Sequence, residues 1–131
     1  MSNTANFDNL FNRPLELPCG AVIKNRLVKS AMSDSLADGE GDSTETQARL
    51  YERWAEGGLG LSIIGEVQVD PHFPEKPGNL VLSADSDLKA LRSLTSRASI
   101  NGAHMAVVRS CRRAFVFAYK PTERTVRPEY W

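Results

Sequence analysis

Short alternating runs open the chain. Pro14-Leu15-Glu16-Leu17 and Ala21-Val22-Ile23 flank Pro18-Cys19-Gly20, and turn residues between two such runs predict a β-hairpin within 10–24. Asn25-Arg26-Leu27-Val28-Lys29-Ser30-Ala31-Met32 follows as a β-prone run, and a stretch rich in Asp, Gly and Ser from Ser33 to Ser43 reads as a loop. Thr44-Glu45-Thr46-Gln47 then matches a capping box, in which hydroxyl and amide side chains satisfy the free first-turn N–H groups of a helix. Gln47, Leu50, Tyr51, Trp54 and Ala55 recur at helical spacing, giving one largely apolar stripe, and Gly57-Gly58 can end the helix.

Leu59-Gly60-Leu61-Ser62-Ile63-Ile64-Gly65 is apolar with little alternation, as expected of a strand covered on both faces. Glu66 to Ser83 carries Pro71, Pro74 and Pro77 and reads mostly as loop. A loop of that length at the C-terminal end of a strand is more often functional than idle. A second helix starting near Asp85 or Ser86, with Leu88, Leu91, Thr95 and Ala98 at helical period, stops at Asn101-Gly102, and His104-Met105-Ala106-Val107-Val108 is apolar again. Hairpin, β, α, β, α, β predicts parallel pairing through right-handed crossovers, hence an α/β fold. Doubly wound sheets and barrels share this order. The chain has no Gly-x-Gly-x-x-Gly after its first long strand and no Walker-type Gly-Lys-Ser/Thr, which favours a barrel.

Length changes that picture. The chain has 131 residues, whereas a complete (β/α)8 barrel needs ~250. Its 16 basic and 16 acidic residues cancel, so overall charge argues for neither nucleic acid nor an acidic membrane. Their distribution is uneven: Met1–Met105 holds 10 Lys/Arg against 14 Asp/Glu, and Ala106–Trp131 holds 6 against 2. Two cysteines, Cys19 and Cys111, suggest neither a disulfide framework nor a zinc site, and both read as ordinary thiols. The polar start and the lack of a long apolar run lead to the expectation of a soluble cytoplasmic protein that is neither exported nor membrane-bound.

Few residues invite chemistry by themselves. His104 beside a strand start reads as a satisfied structural histidine and His72, among prolines, as a solvated one. Asp34, Asp38, Glu40 and Asp42 lack the spacing of a calcium loop and read as a solvated acidic loop. The tail arginines and lysines, Arg109, Arg112, Arg113, Lys120, Arg124 and Arg127, carry no nucleic-acid motif. Neither a catalytic residue nor a metal ligand is assigned.

Three segments in order resemble a known family. Leu10-Phe11-Asn12-Arg13-Pro14-Leu15, Lys24-Asn25-Arg26-Leu27-Val28-Lys29-Ser30-Ala31-Met32-Ser33 and Gly57-Gly58-Leu59-Gly60-Leu61-Ser62-Ile63-Ile64-Gly65 are similar to the opening of Old Yellow Enzyme-like NADH:flavin oxidoreductases. Asn101-Gly102-Ala103-His104-Met105 resembles the family's third-strand start, so the likeness runs from about Asn6 to Met105. It implies the N-terminal portion of a (β/α)8 TIM barrel, about three of eight strands, preceded by a β-hairpin. It also implies FMN across the C-terminal strand ends, reduced by NADH or NADPH and reoxidised by a small acceptor such as an activated alkene. Catalytic groups of such barrels come from strand ends, and flavin chemistry resides in the cofactor while the protein orients and tunes the ring. By the resemblance, the backbone at Ala31 and Met32 lies against the isoalloxazine. Ser33 stands where relatives place a Thr or Cys tuning the ring edge, and Gly65 is the small residue that lets the ring approach.

The resemblance also has gaps. The family's third strand continues with an aromatic residue and a glutamine that binds the flavin pyrimidine, whereas Met105 is followed here by Ala106-Val107-Val108-Arg109. The substrate-anchoring pair, the tyrosine proton donor and the phosphate segment of the family have no counterpart in the chain. Residues 1–105 therefore read as part of a flavin oxidoreductase barrel and 106–131 as an atypical basic tail, expected to be a frameshifted continuation. Codons can be chosen for 118–127 that, one base later, spell a peptide like the family's loop after strand three. The expectation is an FMN-dependent NAD(P)H oxidoreductase of ene-reductase type by ancestry, inactive as an isolated chain. The alternative is a non-enzymatic fragment or pseudogene product without cofactor.

Overall fold

The computed structural model describes residues 10–72, 76–110 and 115–119, with burial of side chains given as far as Val108. Strands β1 (Leu15–Glu16) and β2 (Val22–Ile23) form the expected antiparallel hairpin. Its turn closes through the Leu17 N–H on Ala21 O and the Gly20 N–H on Leu17 O, both 2.8 Å, with Gly20 at φ 81, where a side chain would be strained. Strand β3 (Val28–Met32), helix α1 (Glu45–Glu56), strand β4 (Leu61–Gln68), helix α2 (Leu88–Ala98), a 3-10 turn (Ile100–Gly102) and strand β5 (His104–Ser110) come next, in the predicted order. β3, β4 and β5 lie side by side and parallel.

Helix α1 begins where the capping box places it. The Thr44 hydroxyl accepts from the Gln47 N–H at 3.2 Å and donates to Leu36 O at 2.6 Å. The reciprocal half of the box is absent: the Gln47 side chain donates to both Asp34 oxygens, each at 3.1 Å. Helix α2 starts later than Asp85 or Ser86, because Asp87 is the residue whose carboxylate accepts the Lys89 and Ala90 N–H groups. Its buried stripe also differs from the sequence reading. Leu88 is 66% exposed, while Leu94, which the predicted stripe omits, is buried with Ala98.

Both helices cover one face of the sheet. Ala48 and Tyr51 from α1, Ile64 and Val67 from β4, Leu94 and Ala98 from α2 and Met105 from β5 share one core cluster. α1 and α2 also join through Arg97, which reaches Glu45 and Glu52 at 2.6 Å each. Successive crossovers on a single face are the barrel arrangement, and one βαβαβ half of a doubly wound sheet shares it. On β3 the opposite face is open: Val28 and Ser30 are exposed and alternate with the buried Lys29.

Two features depart from the sequence reading. β4 continues to Gln68 instead of ending at Gly65, and Gln68 bridges to Val81 in the loop beyond. The fourth strand of the sheet, β6 (Phe115–Tyr119), pairs antiparallel with β5. Residues 111–114 are all that connect them, and a parallel return needs a crossover of about a dozen residues, so only a hairpin is sterically open. The segments 1–9, 73–75, 111–114 and 120–131, including Pro74, Cys111 and most of the proposed frameshifted tail, lie outside the described residues. Among the described residues no helix is long and apolar enough to cross a membrane.

Candidate functional site

The hairpin sits at the N-terminal end of the sheet. His104 Nε2 lies 2.9 Å from Val22 O, the Lys24 ammonium donates to Asn101 O at 2.8 Å, and Gly60 leaves no room for a β-carbon beside Asn25 and Ile23. His104 is thus the satisfied structural histidine expected of it. The free C-terminal strand ends are where barrels of this kind carry their chemistry.

There β3 and β4 both slip register. Lys29 faces Ser62 and Met32 faces Ile64, so β3 spends one residue more than β4 over this stretch. Ile64 faces Val107 and Val67 faces Arg109, so β4 in turn spends one more than β5 around Gly65 and Glu66, where Glu66 takes φ 55. Each extra residue is a β-bulge, a local kink that re-aims the strand beyond it. The two bulges bring Gly65 onto the β3 backbone: a β-carbon there would lie 2.7 Å from Met32 N and 3.0 Å from the carbonyl carbon of Ala31. Ala31, Met32 and Gly65 therefore converge. Gly65 has a structural reason of its own to be glycine, namely the close approach of β3.

Ala31 and Met32 are exposed, Met32 at 48%, and present backbone and apolar surface outward from the tip. Ser33 is half-buried, its hydroxyl 3.2 Å from that of Ser35. Either hydroxyl can donate, so Ser33 can accept from Ser35 and keep its own hydrogen for a ligand.

Side chains to which the sequence reading assigns no role at the site hold this tip. Lys29 points to the helix side, its ammonium donating to Ser30 O at 3.0 Å and Ile63 O at 2.8 Å, with the Tyr51 hydroxyl at 3.4 Å. Burial draws its pKa below the ordinary lysine value, and the Asp34 carboxylate partly opposes that. Asp34 in turn rests on Gln47. Burial, reinforced by the negative charge of Asp34, pushes the Tyr51 phenol above its ordinary value.

The acidic loop is built, not merely solvated. The Asp38 carboxylate accepts from the backbone of Glu40, Gly41 and Asp42 at 2.9–3.0 Å, and Asp42 accepts from the Asp87 N–H at 2.9 Å. The loops after β3 and β4 are laced together by Ala37 N–H to Gly78 O at 3.0 Å and Val81 N–H to Gly41 O at 2.8 Å. His72 is exposed as expected and lies 2.9 Å from the Asp70 carboxylate. Among the described residues no group of His, Cys, Asp and Glu could hold a metal ion.

Three of the four residues assigned from the resemblance, Ala31, Met32 and Gly65, are in direct apposition, and Ser33 directly follows Met32, the last residue of β3. A flat apolar ring fits an exposed backbone edge at Ala31 and Met32 beside a side-chain-free Gly65, with the Ser33 hydroxyl as a polar handle. β5 offers Ala106, Val107 and Val108 at its side and no side-chain amide there. The residues of β3 and β4 therefore fit a flavin, and β5 does not supply its usual partner.

Known proteins resemble parts of this chain. An NADH-dependent flavin oxidoreductase of Neonectria sp. (strain DH2) is 45% identical over 58 residues, which is 44% of this chain and 8% of that relative. A 2-naphthoyl-CoA reductase, solved with 2-naphthoyl-CoA, superposes with a TM-score of 0.68 at 20% identity over 74% of this chain and 15% of that one. The Old Yellow Enzyme homologue of Zymomonas mobilis superposes with a TM-score of 0.65 at 18% identity over 74% and 26%. No protein-family model matches the chain. The chain spans less than a third of the length of each of these relatives.

Proposed function

We propose that this chain carries part of a barrel of the Old Yellow Enzyme-like NADH:flavin oxidoreductase type and that the tips of β3 and β4 form one edge of an FMN site. The observation that carries the reading is the apposition of Gly65 with Ala31 and Met32 at two matched bulges. When bound, FMN would supply hydride transfer from NADH or NADPH to an acceptor such as an activated alkene. The chain's own residues do simpler things. Ala31 and Met32 offer a wall, Gly65 keeps the wall flush, and Ser33 offers a hydroxyl to the ring edge. To none of these four residues do we assign the role of proton donor.

By this reading the described residues form a binding edge and not a complete catalytic site. β6 favours that reading, because it occupies antiparallel the edge of β5 on which a barrel would add its next parallel strand. The test is a titration of the isotopically labelled chain with FMN, monitored by amide NMR, alongside NADH and NADPH oxidation assays. We expect millimolar binding with the largest shifts at Ala31, Met32, Ser33 and Gly65, and no turnover. Shifts centred elsewhere, or none, would overturn the site. A yellow, monodisperse protein that consumes NADH would overturn the claim of inactivity.

A further inference from the structure

Lys29 is a buried cation in the middle of β3, only 8% exposed. Taking an ammonium out of water is costly unless fixed dipoles replace its hydration shell. Here they do: two backbone carbonyls accept from it, the Tyr51 hydroxyl stands within reach, and the rings of Trp54 and Tyr51 lie 4.7 and 5.0 Å from Nζ. Those rings meet edge to face at 5.1 Å, so the box around the charge is itself rigid.

The identity of the two carbonyls matters more than their number. Ser30 lies inside the stretch of β3 where register with β4 is lost, and Ile63 lies between Ser62 and Ile64, the β4 residues that bracket the loss. A bulge interrupts the hydrogen-bond ladder, and one ammonium spans that interruption from strand to strand. Beyond the tip, Asp34 binds Gln47 of α1. The segment Ser30–Ser33 is thereby held at both ends against the same helix, by Lys29 through Tyr51 and Trp54 and by Asp34 through Gln47.

We propose that Lys29 is a positioning residue: its ammonium clamps the bulged end of β3 to β4 and so fixes Ala31, Met32 and Ser33 at the tip. The ligand that the tip faces rests on the flavin reading; the clamp does not. Lys29 acts through Ser30 and Ile63 and is not itself a contact to the ring. A merely space-filling role would be met as well by methionine, which matches the length and packs on aromatic rings but donates no hydrogen bond.

The experiment compares the wild-type chain with Lys29→Met by amide hydrogen exchange and FMN-induced NMR shifts. Loss of charged hydrogen bonds should speed exchange at 30–33 and 63–66 by at least about tenfold, leave the middle of α1 unchanged, and abolish the FMN shifts at Ala31, Met32 and Ser33. Equal exchange in the two proteins would overturn the clamp. If the wild type shows no FMN shifts while Lys29→Met still loosens 30–33, the flavin reading fails and the clamp stands. Should Lys29→Met not fold, the wild type alone decides through its lysine Nζ signals. A clamped ammonium gives a slowly exchanging cross-peak with contacts to Trp54 ring protons, and its absence would overturn the proposal.

Discussion

A β-carbon on Gly65 would stand 2.7 Å from the amide nitrogen of Met32, closer than real β-carbons come to backbone atoms. Gly65 is not at positive φ, so alanine is tolerable there conformationally and the lack of space alone decides. Because the obstacle is backbone, relief requires β3 and β4 to part at the tip. Gly65→Ala should therefore cost about 1–3 kcal/mol, a melting temperature lower by roughly 3–18 °C. A melting point within a degree of wild type would show that the strands are not so closely apposed.

Thr44 holds two roles at once, accepting from the first turn of α1 and donating to Leu36 O in the loop that leads from the strand tip. Thr44→Ala should lose roughly 1–2 kcal/mol, the upper part of the range for a helix cap. Thr44→Ser keeps the hydroxyl and should recover most of that loss. Urea unfolding separates the cases: an alanine variant as stable as the serine one would remove the hydroxyl from the account.

The Asp38 carboxylate makes the loop after β3 sensitive to acid. Burial raises its pKa, but the N–H groups of Glu40, Asp42 and Gly41 outweigh that and hold it below the ordinary 3.8. A depressed carboxyl contributes stability that is present above its unfolded pKa and lost as pH falls through the folded one. Asp38→Asn keeps an acceptor oxygen but no titration, so its stability should vary less than that of wild type below about pH 4. Identical acid profiles for the two proteins would contradict this.

The elements are legible in the sequence because they depend on local chemistry. The turn at Pro18-Cys19-Gly20, the Thr44 cap and the apolar stripe of α1 each announce themselves within a few residues. The choice between barrel and doubly wound sheet is not, because three parallel strands whose two helices share one face, as Tyr51 and Leu94 do, open both folds, and only the likeness to solved barrels separates them. The bulges leave no periodic trace, since one extra residue merely shifts a short apolar run, and the apolar run of β4 accordingly stops at Gly65 while the strand itself runs on to Gln68. Lys29 is invisible as a clamp: in a β-prone run it reads as the polar half of an alternation, and only parallel register and α1 packing bury it. The four candidate residues come from resemblance, and the geometry that unites three of them, the close pass of Gly65, has no counterpart in periodicity.

The pair of Lys29 and Tyr51 gives the alkaline limb of stability a definite shape. Burial lowers the Lys29 pKa from 10.5, against the pull of Asp34, so below pH 10.5 the unfolded chain binds the extra proton and this residue's contribution improves as pH rises. Burial and the Asp34 charge raise the Tyr51 pKa from 10.0, so above that pH the unfolded chain releases a phenolic proton that the folded chain keeps. There the sign reverses, and stability falls with pH by up to about 1.4 kcal/mol per unit. Urea midpoints measured from about pH 7 to 11.5 should rise gently, turn near pH 10 and then drop. Tyr51→Phe should flatten the drop and Lys29→Met the rise. If Tyr51→Phe falls as steeply as wild type above about pH 10, another group titrates on unfolding and the phenol is not the source.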